Sequence, residues 1–471
     1  MAWRNRDRSF SAGPYLLSPL IARRFATAGV LVALVVTAFE GTVVTSSMPT
    51  ITADLGSEKL YTWVFSAFLM ASTLSIAVFG KLADQLGRRP IFLGGMVVFL
   101  TGSMLCGFAS SVPQLIAFRV LQGLGAGAIQ PVTNTISADL FTLKERAAVQ
   151  SLFTGAWGTA NVLGPVLGGW IVEHASWRWV FFVNVPFGIV ATVLLMAFYQ
   201  DVPRRKADTV RHLGATLIAG LSLGCLLFTL EPGALTLIAR VPFFLAALGG
   251  AALFVRGQRR GNSPLLPLAF LKDPVISTGL WTGLFAGGAL FSCLTYVPLW
   301  LTHQANQSAL STGMAMVPLL LGWTLGSAVG VKLLLRGGMR ATVGGGFTVA
   351  FAGSVLLGVT SLFGWPVGWA YGGLMILGAG LGPVLSSSLL GPQARVSRQH
   401  RGMVTSTMYA ARMLGGAVQV ALISMAHGHP SIQLGCISFA LGVAALSVGR
   451  NAPQERPDEK ILEDLGELGA A

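Results

Sequence analysis

The chain has 471 residues, 53% hydrophobic and 11% charged, with a mean hydropathy of +0.68. A soluble domain carries about 25% charged residues to keep its surface wet, so this composition excludes an ordinary water-soluble core. The net charge of +14 does not point to nucleic acid, because the basic residues form no patch or stripe and stand between apolar runs.

The segment 1–24 is basic (Arg4, Arg6, Arg8, Arg23, Arg24) and leads into an apolar run too long for a signal-peptide core. The runs that follow predict helices at 25–47, 60–81, 91–109, 113–138, 147–172 and 178–198. Two more are predicted at 213–231 and 235–256. The last six are predicted at 275–299, 310–334, 341–363, 367–391, 402–426 and 432–449. Roughly 20 residues cross the hydrocarbon layer as a helix, whereas barrel strands are about ten residues long and alternate in polarity. The fold class is therefore an all-α integral membrane protein with fourteen transmembrane helices. It divides into a cytoplasmic segment 1–24, a six-helix bundle 25–198, a linker 199–274 carrying a two-helix hairpin, a second six-helix bundle 275–449, and a tail 450–471. The tail is acidic, with a weak apolar spacing at Ile461, Leu462, Leu465 and Leu468 that suits a solvated helix or a partner-binding segment.

Lysine and arginine set the orientation. With these spans, 27 of the 32 fall on the side of the termini, three (Lys59, Arg178, Arg240) on the other, and Arg119 and Arg412 inside spans. That bias places both termini in the cytoplasm. The four cysteines (Cys106, Cys225, Cys293, Cys436) lie inside apolar spans without ligand-like spacing and read as packing residues.

The halves echo each other at an offset near 250 residues. Pro49 answers Pro298, and Gly80 and Gly87 answer Gly330 and Gly337, followed by Arg88 and Arg340. Two pseudo-symmetric bundles with a site between them are the usual construction of alternating-access transporters. A duplicated bundle without transport is the alternative.

Three motifs stand out. The connection after the second span reads Gly80-Lys-Leu-Ala-Asp84-Gln-Leu-Gly87-Arg88-Arg89-Pro90. Its glycines suit a tight reversal, and an acid at a helix end can meet a neighbouring helix's positive N-terminus. The arginines can meet carboxylates or lipid phosphates, so the loop reads as a conformational latch. The fourth span carries Arg119-Val-Leu-Gln122-Gly123-Leu-Gly125-Ala-Gly127, where residues 119, 123 and 127 form one helical stripe, a bare groove headed by a permanent cation. The fifth carries Gly164-Pro165-Val-Leu-Gly168-Gly169, a proline kink flanked by glycines that permit close packing.

Taken together these motifs resemble those of the major facilitator superfamily. With fourteen spans and Phe39-Glu40-Gly-Thr42 through Pro49, the chain resembles its fourteen-spanning drug:proton antiporter family along spans 1 to 14. The resemblance implies a multidrug efflux antiporter of the plasma membrane, the inner membrane in a bacterium. It departs from the pattern at Glu40, usually Asp; at Thr45, usually Asn; and at Leu334, which stands opposite Asp84.

Only Glu40, Arg119 and Arg412 are embedded ionisable groups, and charge at the bilayer centre costs about 2.5–3.5 kcal/mol on translocon scales. Glu40 lies seven residues before the end of span 1 and Arg119 six after the start of span 4. At about 1.5 Å per residue both lie roughly 10 Å below the outer surface, where they can face each other. Burial raises a carboxylate's pKa and a nearby guanidinium lowers it, so Glu40 is expected to carry the proton and Arg119 to tune it. The alternative is a structural ion pair. Gln122, Asn134, Trp157, Asn161, Tyr296, Trp323, Tyr409 and Arg412 are the expected substrate-cavity residues.

No Asp or Glu occurs between Asp273 and Glu455, which predicts that neutral lipophilic compounds and monocations are handled better than dications. No phosphate-binding glycine loop ends in Lys-Ser/Thr, and His427-Gly-His429 is too sparse for a metal site. An enzyme, a cofactor and a metal are not expected, and the proton gradient is the expected energy source. The expected partners are hydrophobic small molecules, protons and membrane lipids, with the chain monomeric. A transporter of a physiological lipid, siderophore or metabolite, or a non-transporting receptor on the same scaffold, remain as rivals.

Overall fold

In lipid, a chain can satisfy its backbone only as helices or a closed barrel, and in the computed structural model every described regular element is helical. The structure describes residues 19–56, 60–141, 143–201, 237–260, 272–303, 307–396, 398–425, 430–449 and 451–453, with isolated residues between 214 and 229. The helices are α1 Pro19–Asp54, α2 Tyr61–Leu86, α3 Arg88–Gly107, α4 Val112–Leu140, α5 Leu143–His174, α6 Trp179–Phe182, α7 Asn184–Phe198, α8 Leu237–Arg260, α9 Pro274–His303, α10 Ala309–Phe363, α11 Val367–Arg395, α12 Arg398–Ser424 and α13 Pro430–Ala444. Local chemistry sets several ends. Ser111 caps α4 through the Gln114 amide, Ser308 caps α10 through that of Ser311, and Gly364 ends α10 in the left-handed region.

Ten helices among the described residues are long and apolar enough to cross a membrane. One of them, α10, has 55 residues, about 80 Å of helix where the hydrocarbon core is about 30 Å. Its backbone breaks at Gly338 (φ 74°, ψ −178°), dividing it at the junction of the predicted spans 310–334 and 341–363. Gly338, one residue past the expected Gly337, is thus the counterpart of Gly87 (φ 104°); the turn falls where the backbone needs φ > 0, which glycine alone adopts without strain. Helices α5 and α12, of 32 and 27 residues, stand outside that set of ten. Of the predicted span 213–231 only isolated residues are described, all helical. His427, His429 and the apolar spacing at 461–468 lie outside the described residues.

The N-terminal half buries two apolar cores at different depths. One joins Ala26–Val36 of α1 to Phe92, Met96 and Phe99 of α3, Ile129–Ile136 of α4 and Ala191–Tyr199. The other joins Val43–Ile51 of α1 to Cys106, Leu115 and Val180–Phe181. Between them, on the same helices, lie Glu40, Ser103, Arg119, Gln122 and Asn184, all buried. The C-terminal half has a large apolar cluster drawn from Val275 to Val448 and a smaller one of Ile276, Val396, Val404 and Met408. Among the described residues the buried carboxylate–guanidinium pair therefore lies in the N-terminal half.

The halves approach most tightly at the predicted outer end. Tyr61 Oη donates to the Thr295 carbonyl (2.6 Å), and the Leu310 amide donates to Glu173 Oε1 (2.9 Å). A methyl group on Gly169 would stand 2.6 Å from Leu310 Cα, and one on Gly313 would overlap the Pro165 carbonyl. Deeper in, Gly158 leaves 3.4 Å to Thr324, and near the predicted inner end Gly80 leaves 3.7 Å to Ser406. Along these described glycines the halves are closed outside and loosen inward.

Candidate functional site

Helix α1 brings Glu40 and α4 brings Arg119 to the same depth, each 1% exposed, and Arg119 Nη1 bonds Glu40 Oε1 directly. The other oxygen, Oε2, accepts from Asn184 Nδ2 at 2.6 Å. Arg119 Nη1 also donates to Gln122 Oε1 (2.8 Å), and Gln122 Nε2 donates to Ser103 Oγ (3.1 Å). Asn184 Nδ2 reaches the same Ser103 oxygen (3.1 Å), and that hydroxyl donates to the Phe181 carbonyl (2.9 Å). Five side chains on four helices thus form one connected network, in which Arg119 Nε is buried without an acceptor among the described residues. Its only formal charges are one carboxylate and one guanidinium, so it is neutral as long as Glu40 is ionised. The two charges compensate each other in a buried layer, where an unpaired charge is costly.

The Arg119–Gly123–Gly127 stripe packs on α2, as its bare face predicts. The Arg119 guanidinium lies 4.1 Å from the centre of the Phe68 ring, a cation–π contact worth about 2 kcal/mol when desolvated. Side chains on Gly123 and Gly127 would run into the Phe68 and Ser72 carbonyls. Phe68 also packs against the contact that Leu69 makes with Ala417 and Ala421 of α12. It therefore lies between Arg119 and the contact of Leu69 with the opposite half.

The loop after α2 turns at Gly87, where a side chain would strike the Asp201 carboxylate (Oδ2 at 2.5 Å). Asp201 Oδ1 accepts from the amides of Arg88 (2.8 Å) and Arg89 (3.1 Å), capping the positive N-terminus of α3. The Arg88 and Arg89 guanidiniums reach the carbonyls of Thr135 and Met196, tying the loop to α4 and α7. Asp201 was not singled out from the sequence. Its signal is an acid placed right after a long apolar span.

The expected cavity residues divide. Gln122 is fully buried and belongs to the charge network. Tyr296 is 1% exposed and donates to the Val420 carbonyl (2.7 Å), holding α9 on α12 instead of lining an open cavity. Trp323 is half-buried and packs on the C-terminal core. Tyr409 is half-buried with the Arg412 guanidinium 5.2 Å from its ring centre. Arg412 Nη2 donates to the Leu385 carbonyl of α11 (3.2 Å). The side chains of Asp84, Asn134, Trp157 and Asn161 lie outside the described residues. Asn184 and Ser103 were missed; a lone Asn in the apolar stretch Val-Asn-Val-Pro was the available signal.

The profile described as Major Facilitator Superfamily matches residues 30–420. The chain belongs to the major facilitator superfamily. It is 31% identical to the Multidrug transporter protein MdtP of Bacillus subtilis (strain 168) over 410 residues, covering 84% of this chain and 73% of that protein. It is 32% identical to Multidrug resistance protein 3 of the same organism over 311 residues, covering 65% and 60% of the two chains; the match thus spans less than two thirds of the latter's length. A solved structure of an auto-inhibited POT family peptide transporter superposes with a TM-score of 0.68 at 16% identity, covering 92% of this chain and 97% of that one. Membership makes the chain a multi-pass membrane transporter, not an enzyme.

In this superfamily member the Gly-Pro-Val-Leu-Gly-Gly motif of α5 is a two-sided seam. Gly164 and Gly168 admit Thr42 and the Val43 carbonyl (2.6 Å) of α1, while Gly169 and the Pro165 carbonyl admit the start of α10 from the other half. Glu173, one turn further along, completes the seam on α10. The hydroxyl of Ser308 and the Leu310 amide hold its carboxyl below the usual 4.5. A lowered pKa means that the ionised carboxylate favours the closed seam. The contribution is present above the usual carboxylate range and is lost as the pH falls through the lowered value. Glu173→Gln is expected to raise outer-face accessibility at neutral pH and to abolish the additional opening that wild type shows on acidification below about 4.5. Labelling of an introduced outer-face cysteine with an impermeant maleimide measures both.

Proposed function

We propose that the protein is a proton-coupled antiporter that exports lipophilic small molecules by alternating access. The observation that carries this reading is the connected layer of Glu40, Arg119, Gln122, Ser103 and Asn184 between two apolar cores. A layer neutral only when Glu40 is ionised couples proton gain to release of Arg119, and Arg119 stands on Phe68, next to Leu69, which meets the opposite half. Protonation therefore loosens the link between α1 and α4 and changes the footing of α2 on α12, the movement that a rocking cycle needs. The multidrug names of the Bacillus relatives support export of small molecules.

Neutral lipophilic compounds come before cations in this reading, because both oxygens of Glu40 are engaged and a cation gains no free carboxylate there. Monocations follow and dications come last, since the chain holds no acid between Asp273 and Glu455. The test is uptake into inverted vesicles with an imposed pH gradient, using a neutral dye, a monocation and a matched dication. Accumulation that collapses with a protonophore is expected. Accumulation indifferent to the gradient would overturn proton coupling, and a dication carried as fast as its monocation would overturn the ordering.

A further inference from the structure

Arg412 is a permanent cation in the middle of α12, 14 residues from the helix start at Arg398, or about 20 Å along the axis. Its backbone is pressed onto α9, where side chains on Gly283 and Gly287 would meet Arg412 N (3.8 Å) and Arg412 Cγ (2.7 Å). The guanidinium is thereby directed towards α11. Of its five N–H donors, one bonds the Leu385 carbonyl, and Nε is shut off from solvent without an acceptor among the described residues. The ring of Tyr409 lies below it. No carboxylate among the described residues pairs with it, and the sequence offers none between Asp273 and Glu455. Along the same α9–α12 seam Gln419 Nε2, packed on Gly288, and Ser292 Oγ are likewise buried without partners.

Contrast with Arg119 decides what this means. Both arginines leave Nε buried without an acceptor among the described residues, but Arg119 has the Glu40 carboxylate to balance its charge, whereas Arg412 has only a carbonyl and a ring, where embedded charges are kept for a purpose. We infer that Arg412 is the anchor for an anionic group on the transported molecule, so that amphipathic carboxylates or sulfonates belong to the substrate range. The guanidinium takes the anion through its free N–H groups, and the Tyr409 ring flanks the apolar body. A lipid headgroup lies at the membrane surface, too far along the helix to serve. The inference deepens the export reading by naming a substrate class.

Saturable binding to the purified full-length chain in detergent tests it without requiring flux, using pyrenebutyrate and its uncharged methyl ester as probes. The acid is expected to bind at least about tenfold more tightly than the ester. Arg412→Gln is expected to erase that difference while leaving ester binding within about twofold, which also shows that the variant folds, and Arg412→Lys to restore part of it. Equal binding of acid and ester by the wild-type protein, no saturable binding of the acid, or equal loss of both in Arg412→Gln would overturn the inference. If the acid binds as expected but neither probe is moved by a pH gradient, the anion site stands and the export reading falls.

Discussion

Glu40→Gln abolishes gradient-driven efflux, a loss of at least about a hundredfold, while substrate exchange across the membrane in the absence of a gradient persists. Glutamine keeps the shape of the side chain and an oxygen for Asn184, so the network can still close sterically. It removes the negative charge that pairs with Arg119 among the described residues, and breaking one partner of a buried pair costs about 3–5 kcal/mol. A fall in thermal stability is therefore expected as well, and transport must be compared at equal amounts of folded protein. The measurement that separates roles is the pair of assays together. A residue that only holds α1 to α4 loses driven efflux and exchange in parallel, and that outcome would make Glu40 a structural group. A residue that carries the proton loses only the driven process. Glu40→Asp keeps the charge one methylene shorter, and partial recovery of driven efflux is its expected outcome.

The sequence exposed the helices through apolar run length. It exposed the Glu40–Arg119 pairing through depth alone, because two charges at equal depth in adjacent helices have few other places to go. The glycine stripe of α4 was legible for the same kind of reason: residues without side chains mark where a neighbour must come close, and α2 does. The missing parts of the network were uncharged. Asn184 and Ser103 differ little from ordinary membrane-helix residues until their partners are known, and nothing in spacing assigns Asn184 to Glu40. The aromatic residues are hard to assign from sequence for a related reason. Tyr296 offers a face and a hydroxyl in any context, and only packing shows that its hydroxyl is already spent on Val420. Asp201 stands 113 residues from the Arg88 amide it caps, a long-range partnership that composition does not reveal.

Adding bulk at the α5–α10 seam is expected to hold the protein open on its outer side. A side chain on Gly169 would stand 2.6 Å from Leu310 Cα, and one on Gly313 would overlap the Pro165 carbonyl, in each case backbone atoms that cannot swing away. Gly169→Val and Gly313→Val should therefore destabilise the outer-closed arrangement without touching the charge layer. Closure of one end is half of every alternating-access cycle, so efflux should fall to background while the protein remains folded. The readout is Thr295→Cys on a cysteine-free background. Thr295 is fully buried and its carbonyl accepts from Tyr61 across the halves, so the introduced thiol should react slowly with an impermeant maleimide from outside. In combination with either valine it should react at least about tenfold faster. Unchanged labelling with lost efflux would mean that the glycines serve packing within the closed state alone. Faster labelling with normal efflux would separate the seam from the cycle altogether, and with it the role of the Gly-Pro-x-x-Gly-Gly motif as the outer gate.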